Sequence, residues 1–130
     1  MSVKEFAEEF IKAQDEAIFN DNISALLDLE DPDVVFHLQQ GVEIIGWEGH
    51  KQLIMGIREA ISNFHHEWKY LTGEGNIFAL SRKASGIIAG EIPGFKMPIG
   101  EKYIAESIMV FRLEKGKIVE AWENGSFTSV

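Results

Sequence analysis

The first segment of the chain repeats its apolar residues with the period of a helix, which places them along one face. These apolar positions are Val3, Phe6, Ala7, Phe10, Ile11, Ala17 and Ile18. Ser2 and Glu5 match the capping-box pattern, so the helix is predicted to begin almost at the first residue. Gln14 falls on the same stripe, and it is therefore either a ligand-binding group aimed at a cavity or the edge of the stripe.

A short helix, a strand and an edge strand are predicted next. Asp21 and Asn22 can cap the helix, and Pro32 ends it because proline disfavours helix at the preceding residue. The β-branched and aromatic residues of 34–38 predict a strand. Residues 42–45 predict a short edge strand after a turn.

Helical spacing returns in a third segment, after a loop at 46–49. Its apolar positions are Leu53, Ile54, Ile57, Ala60, Ile61 and Phe64. Beyond His65 the pattern is that of β-structure, with strands predicted at 67–72, 77–90, 103–113 and 117–127. Helices early and strands late predict an α+β fold, with three helices on the concave face of a curved mixed or antiparallel sheet. Such a fold leaves a pocket lined by strand residues of one parity.

The composition limits the kinds of site and partner. A length of 130 residues fits one domain spanning 1–130. The absence of cysteine excludes disulfides, thiolate metal sites and cysteine nucleophiles. A formal charge of −9 with scattered basic residues argues against nucleic acid as a partner. The sequence shows neither a membrane span nor a signal-peptide pattern, so we predict a cytoplasmic protein without membrane contact.

Four short motifs distinguish the chain further. They are residues 33–37 (Asp-Val-Val-Phe-His), 98–100 (Pro-Ile-Gly), 111–113 (Phe-Arg-Leu) and 116–122 (Gly-Lys-Ile-Val-Glu-Ala-Trp). Together with the order of the elements, they resemble the SnoaL-like branch of the nuclear transport factor 2 superfamily over essentially the whole chain. The resemblance implies a cone-shaped, cystatin-like α+β barrel with an internal apolar cavity, often a homodimer through the outer sheet face. Members include polyketide cyclases, ketosteroid isomerases, dehydratases and many proteins without a known reaction.

The sequence departs from the cyclase-type members at their catalytic positions. In those members the strand with the tryptophan continues to an acid/base aspartate four residues later, where this chain has Ser126. They also tend to have a histidine after a glycine in the middle strand, where Gly86 is followed here by Ile87. No clear equivalent of the isomerase aspartate is found. The resemblance therefore predicts a fold without establishing a reaction.

His37 and Glu106 are the candidate catalytic residues, because each interrupts an apolar strand. Imidazole transfers protons near neutral pH, and a carboxyl group in a dry cavity has a raised pKa. Since strand parity is open, His37 can equally be a half-buried histidine bonded to a neighbour or lie on the outer face. Glu106 can equally lie on a solvated sheet face or pair with a cation across strands, which alternating patterns favour.

Residues of one parity on the last strand are candidates for ligand binding. The resemblance implies that Trp122 faces the cavity, and Asn124 and Ser126 would follow it there. They could orient a planar oxygenated molecule by stacking and neutral hydrogen bonds. Alternatively, Trp122 simply fills the core. Trp47 is a further candidate, either as a lid over the cavity or as a dimer contact.

No metal site or nucleophile is predicted. His65 and His66 are adjacent, and adjacent strand residues point to opposite faces, so both rings cannot converge on one ion. His50 is predicted to be exposed in the first turn of the third helix. Ser107 lacks the glycine-flanked motif of a nucleophile elbow.

These features favour a protein that binds a small, mostly apolar or ring-containing molecule without a cofactor. If it is an enzyme, we expect proton transfer next to a carbonyl group, as in cyclisation, isomerisation or dehydration. His37 would then be the base, with Glu106 or Asn124 as the donor. The alternative is a non-catalytic ligand-binding or dimerisation module, which the missing cyclase-type aspartate supports. A protein-interaction module using the outer sheet face is a third hypothesis.

Overall fold

The computed structural model of the chain describes residues 1–92 and 94–129, the last three by their backbone alone. The α-helices of this part are α1 (Val3–Phe19), α2 (Ser24–Leu27) and α3 (Gly46–Ala60). The capping box is present, with the backbone N–H of Glu5 donating to Ser2 Oγ at 3.1 Å, so the predicted start of α1 is confirmed. None of these described helices combines the length and the hydropathy that crossing a lipid bilayer requires.

In the described residues, six strands form one mixed sheet. They are β1 (Glu30–His37), β2 (Glu43–Ile45), β3 (Ile61–Glu74), β4 (Ile77–Ile88), β5 (Lys102–Glu114) and β6 (Lys117–Ser129). The strand order is β2-β1-β6-β5-β4-β3, with β1 and β6 parallel and the other pairs antiparallel. The predicted α+β class is confirmed. The sheet is open between β2 and β3, so the closed barrel that the resemblance implies is not formed.

The third helix begins and ends earlier than predicted, and it includes residues 46–49, where a loop is predicted. It ends at Ala60, and both Ile61 and Phe64 belong to β3. A bulge at Asn63, whose φ is 51°, allows these two strand residues to pack towards the helices although they are three positions apart. Gly86 on β4 leaves the space that the bulge needs, because a Cβ there would lie 2.4 Å from the Ile61 side chain. Because of the bulge, the two buried strand residues have the three-residue spacing that is typical of a helix.

The first strand begins earlier than predicted and includes Pro32. Its parallel pairing with β6 changes register between Glu30 and Val35. A proline, which has no N–H to donate to a ladder, is tolerated at such an irregularity. The proline therefore interrupts the pairing without ending the strand.

The helices cover one face of the sheet, which we call the inner face, and the opposite face is the outer face. On β5 the buried residues of the inner face have one parity and are Tyr103, Ala105, Ser107, Met109 and Phe111. Phe10 of α1 contacts Trp68 and Phe111, with ring centroids 5.7 Å and 4.8 Å apart. Residues of the other parity, such as Ile108, lie on the outer face.

His37 and Trp122 lie on the outer face, so the expectation that Trp122 faces the cavity is wrong, and His37 takes the outer-face position that the sequence leaves open. Their neighbours Phe36 and Ala121 pair with each other across β1 and β6 and are almost completely buried. Because side chains alternate along a strand, His37 and Trp122 must face the other way. Their rings stack on each other there, with centroids 5.8 Å apart.

Candidate functional site

A cavity lies between the helices and the inner face of the sheet. Most of its lining is aliphatic or aromatic, including Phe36, Ile57 and Met109. The volume open to the centre of a water-sized sphere is about 80 Å³. Since one water needs roughly 10–15 Å³ on this measure, the cavity has room for several waters or a small organic molecule.

A band of polar side chains crosses the sheet at the cavity. His66 and Trp68 come from β3, Arg82 from β4, Ser107 from β5 and Glu123 from β6. Trp68 pairs with Arg82, and Arg82 pairs with Ser107, so these three residues form one row across neighbouring strands. All five have the parity of the inner face. The fold thus gathers polar groups from four strands beneath an apolar roof.

The side chains of this band are joined by hydrogen bonds. Arg82 Nε donates to His66 Nε2 at 2.7 Å, and the guanidinium also lies over the Trp68 ring. Ser107 Oγ donates to Glu123 Oε2 at 2.9 Å, and Arg82 Nη1 lies 3.5 Å from the same oxygen. The Arg82 and Glu123 side chains are only 11% and 8% exposed, so each needs the opposite charge of the other.

The hydrogen bond from Arg82 determines which nitrogen of His66 carries the proton. Because Nε2 accepts, the neutral ring has its proton on Nδ1. Burial, followed by the nearby charge of Arg82, lowers the pKa of His66 from 6.5 to about 2. His66 is therefore a neutral hydrogen-bond donor at physiological pH and is unsuited to act as a base.

Three residues of the cavity lining have a buried polar atom that lacks a hydrogen-bond partner among the described residues. These atoms are His66 Nδ1, Trp68 Nε1 and Gln14 Oε1. Two are N–H donors and one is an acceptor. An unsatisfied buried polar group costs about 1–3 kcal/mol, so such groups usually bind a water or a ligand. Each of these three groups is therefore available to a water or to a polar atom of a ligand.

A second polar pair lies where α3 packs against the start of β1. His50 Nδ1 lies 2.9 Å and 2.7 Å from the two carboxylate oxygens of Glu30, and both side chains are buried. His50 also lines the cavity. The prediction of an exposed His50 is wrong, because α3 begins at Gly46 and turns this residue towards the buried Glu30 carboxylate.

The structure separates the residues that the sequence singles out. Gln14 lines the cavity. Trp47 does not line it, and its Nε1 donates to the backbone oxygen of Glu30 at 3.0 Å. The remaining candidates lie outside the cavity and are His37, Glu106, Trp122, Asn124 and Ser126.

Local contacts explain why two of these residues, His37 and Glu106, lie outside the cavity. His37 Nε2 lies 2.7 Å from Glu120 Oε2, and His37 Nδ1 lies 3.4 Å from Glu43. Glu106 is exposed and lies opposite Lys83 on the neighbouring strand. The hydrogen bond from His37 lowers the pKa of Glu120, and a second one from Arg112 adds to it. These contacts stabilise charges on the outer face, and both ring nitrogens of His37 lie close to carboxylates there.

Sequence reasoning missed most of the polar band, although two signals for it exist. Arg82 and Lys83 are adjacent on one strand, so one cation has to face inward. Glu120 and Glu123 differ in parity on β6, so one carboxylate has to face inward as well. A buried charge of each sign indicates an ion pair, which is what the structure shows.

The low pKa of His66 predicts an acid-dependent loss of stability. Between pH 6.5 and about 2 the unfolded chain binds a proton here that the folded chain does not. The free energy of unfolding should therefore fall by about 1.4 kcal/mol for each pH unit below 6.5 on account of this group. His66→Gln removes this contribution, so its stability should decline less steeply in urea unfolding between pH 6.5 and 4.5. His65→Gln, at an exposed neighbour, should keep the wild-type slope, and equal slopes for wild type and His66→Gln would contradict the assignment.

Comparisons with known proteins agree on the fold. The family model of SnoaL-like polyketide cyclase matches residues 4–125, whereas a comparison with curated protein sequences gave no match. TsrD from Streptomyces laurentii has a TM-score of 0.78 at 17% identity, with 97% of this chain and 92% of that chain covered. AclR from Streptomyces galilaeus, a proposed hydroxylase, has a TM-score of 0.70 at 22% identity, with coverages of 96% and 91%. IdmH from Streptomyces antibioticus, a proposed polyketide cyclase, has a TM-score of 0.69 at 21% identity, with coverages of 92% and 91%.

These structural similarities are too distant in sequence to show more than the fold. The family match, in contrast, spans nearly the whole chain and includes every residue of the polar band. It also agrees with the resemblance that the sequence motifs indicate. The chain belongs to the SnoaL-like polyketide cyclase family.

Proposed function

We propose that this chain binds a small, mostly apolar carbonyl compound in its cavity and transfers a proton next to the carbonyl group without a cofactor. The observation that carries the proposal is the pair of unpartnered N–H donors, His66 Nδ1 and Trp68 Nε1, in a mostly apolar cavity. The two rings are neighbours on β3, with centroids 4.9 Å apart. One oxygen atom of a bound molecule can accept from both donors.

The donors suit an oxygen that gains negative charge during the reaction. Loss of a proton next to a carbonyl group converts the carbonyl oxygen into an enolate oxygen. Hydrogen bonds to a developing oxyanion are strong in a site that excludes water, and they are made by groups already in place. The guanidinium of Arg82 holds His66 in the required tautomer, and its positive charge further favours an anion nearby.

A phenol tests this proposal without knowledge of the natural ligand. 4-Nitrophenol titrates near neutral pH, and its phenolate resembles an enolate in charge and absorbs visible light. We expect saturable binding that favours the phenolate, seen as a fall in the apparent pKa of the bound compound. Nitrobenzene, which lacks the hydroxyl group, should bind at least about tenfold more weakly, since a hydrogen bond to a charged group contributes about 1.5–3 kcal/mol. Equal affinities for both compounds, or no binding of either, would refute the proposal.

A non-catalytic ligand-binding module is the second candidate function. It is favoured by Ser126, which occupies the position of the cyclase-type acid/base aspartate and is exposed. In that case a bound compound would be recovered chemically unchanged. A homodimer and a cytoplasmic location stay predictions, and the exposed Ile108 and Trp122 on the outer face support the first of these.

A further inference from the structure

The His50–Glu30 pair is a buried polar arrangement that the oxygen-binding donors do not use. His50 Nδ1 donates to Glu30 Oε1 at 2.9 Å and also lies 2.7 Å from Glu30 Oε2. The Glu30 side chain is completely buried, and that of His50 is 5% exposed. In the described part of the chain, the other ring nitrogen, Nε2, has no hydrogen-bond partner. A histidine held in this way has a fixed tautomer and presents an available lone pair at Nε2.

The other titratable side chains of the cavity are less suited to remove a proton from carbon. Among the described residues that line it, these are His66, Arg82, Tyr103 and Glu123. His66 Nε2 already accepts from Arg82. The carboxylate of Glu123 accepts from Ser107 Oγ at one oxygen and from a backbone N–H at the other. Guanidinium and phenol groups act as donors near neutral pH.

We propose that His50 is the catalytic base of the cavity, that Glu30 is its positioning residue, and that the substrate is a small apolar ketone with a hydrogen on the carbon next to the carbonyl group. This assignment rests on the proposed function, because the ketone oxygen is held by His66 and Trp68. His50 extends from α3 and the two donors extend from β3. The base and the oxygen site are thus provided by different walls of one cavity.

The proton-transfer step balances without a co-reactant. The Nε2 lone pair of His50 takes the proton, the electrons of the broken C–H bond form a carbon–carbon double bond, and the carbonyl electrons move to oxygen. The resulting enolate accepts from His66 and Trp68, while the imidazolium lies against the Glu30 carboxylate. Return of the proton to the same carbon restores the ketone, and return to a conjugated carbon isomerises an unsaturated one.

Hydrogen exchange measures this step directly. 2-Indanone is a small apolar ketone whose hydrogens next to the carbonyl group exchange in D₂O, and NMR follows the loss of their signal. We expect the wild-type chain to accelerate the exchange above the buffer rate, and 4-nitrophenol to inhibit it. His50→Gln should lower kcat for exchange by at least about a hundredfold, which is the usual minimum contribution of a general base. His65→Gln, an exposed histidine outside the cavity, should leave the rate unchanged.

Glu30→Gln distinguishes positioning from a merely structural role. Glutamine keeps the shape and one acceptor oxygen but removes the negative charge that faces the imidazolium. We expect kcat for 2-indanone exchange to fall while KM and the affinity for 4-nitrophenol stay at their wild-type values. If His50→Gln fails to fold, as judged by circular dichroism and 4-nitrophenol binding, this second variant decides the assignment.

The two proposals fail in different ways. Wild-type exchange at the buffer rate with 4-nitrophenol still bound would overturn the role of His50 and leave ligand binding intact. Wild-type rates in a folded His50→Gln variant, or in Glu30→Gln, would also overturn it. Exchange that 4-nitrophenol does not inhibit would show that the reaction occurs elsewhere and would overturn both.

Discussion

Replacing Arg82 with methionine is expected to lower the free energy of unfolding by about 3–5 kcal/mol, as measured by urea denaturation at neutral pH. The guanidinium is the cation that compensates the buried Glu123 carboxylate, at a distance of 3.5 Å, and it also donates to His66 Nε2 at 2.7 Å. Methionine fills much of the same space but leaves a carboxylate in the interior without a cation. The cost arises mainly from this uncompensated charge rather than from lost packing.

Two further variants separate the charge effect from a general effect of changing β4. Lys83→Met alters the exposed neighbour of Arg82 and should change stability by less than about 1 kcal/mol, as is usual for surface charges. The double variant Arg82→Met with Glu123→Met removes both charges and should regain a large part of the loss. If Arg82→Met were no more destabilising than Lys83→Met, the ion pair would not organise this site.

Replacing Trp68 with phenylalanine is expected to weaken the binding of 4-nitrophenolate by about ten- to a hundredfold, because one hydrogen bond to a charged oxygen contributes about 1.5–3 kcal/mol. Trp68 Nε1, like His66 Nδ1, is a cavity donor without a hydrogen-bond partner among the described residues. Phenylalanine retains an aromatic ring that can still contact Phe10 but has no N–H. Absorbance titrations at a pH where the bound compound is ionised give the two affinities.

Trp122→Phe is the matched control for this prediction, because it makes the same change on the outer face. The sequence motif points to Trp122 as the wall of the ligand site, whereas the structure places its ring beside His37. We therefore expect wild-type affinity in Trp122→Phe. A loss of affinity in this variant, together with an unchanged Trp68→Phe, would assign the ligand to the outer face.

Periodicity predicts the helices and strands well because burial of one face imposes a fixed repeat on each element. The predicted strands 77–90 and 103–113 differ from β4 and β5 by at most two residues at either end. The end of α3 is the main exception. Ile61 and Phe64 satisfy a helical repeat only because a bulge places both on the inner side of a strand.

The same pattern could not predict which residues of a strand lie on the inner face and which lie on the outer face. On β1, Val34 and Phe36 are apolar, but Val35 of the opposite parity is apolar too, so hydropathy does not select a face. On β6 the inward position of Glu123 depends on partners from other strands, Ser107 on β5 and Arg82 on β4. These interactions are non-local. Because neighbouring strand residues face opposite ways, the inward Glu123 agrees with Trp122, and its pairing partner His37, lying on the outer face.

The pairing of His50 with Glu30 could not be predicted from the sequence either. The two residues are separated by β1, a turn and β2, and they meet because the start of α3 packs over the start of β1. Nothing in the immediate neighbourhood of either residue indicates a partner. Sequence reasoning therefore found Gln14 near the cavity and missed the groups on the facing walls.

A crystal structure of the chain with bound 4-nitrophenol shows directly whether the two cavity donors bind the ligand oxygen. We predict the phenolic oxygen within hydrogen-bond distance of both His66 Nδ1 and Trp68 Nε1, with the ring among the apolar residues under α1 and α3. A compound found stacked on Trp122 at the outer face, with the two donors of the cavity bound only to water, would contradict ligand binding in the cavity.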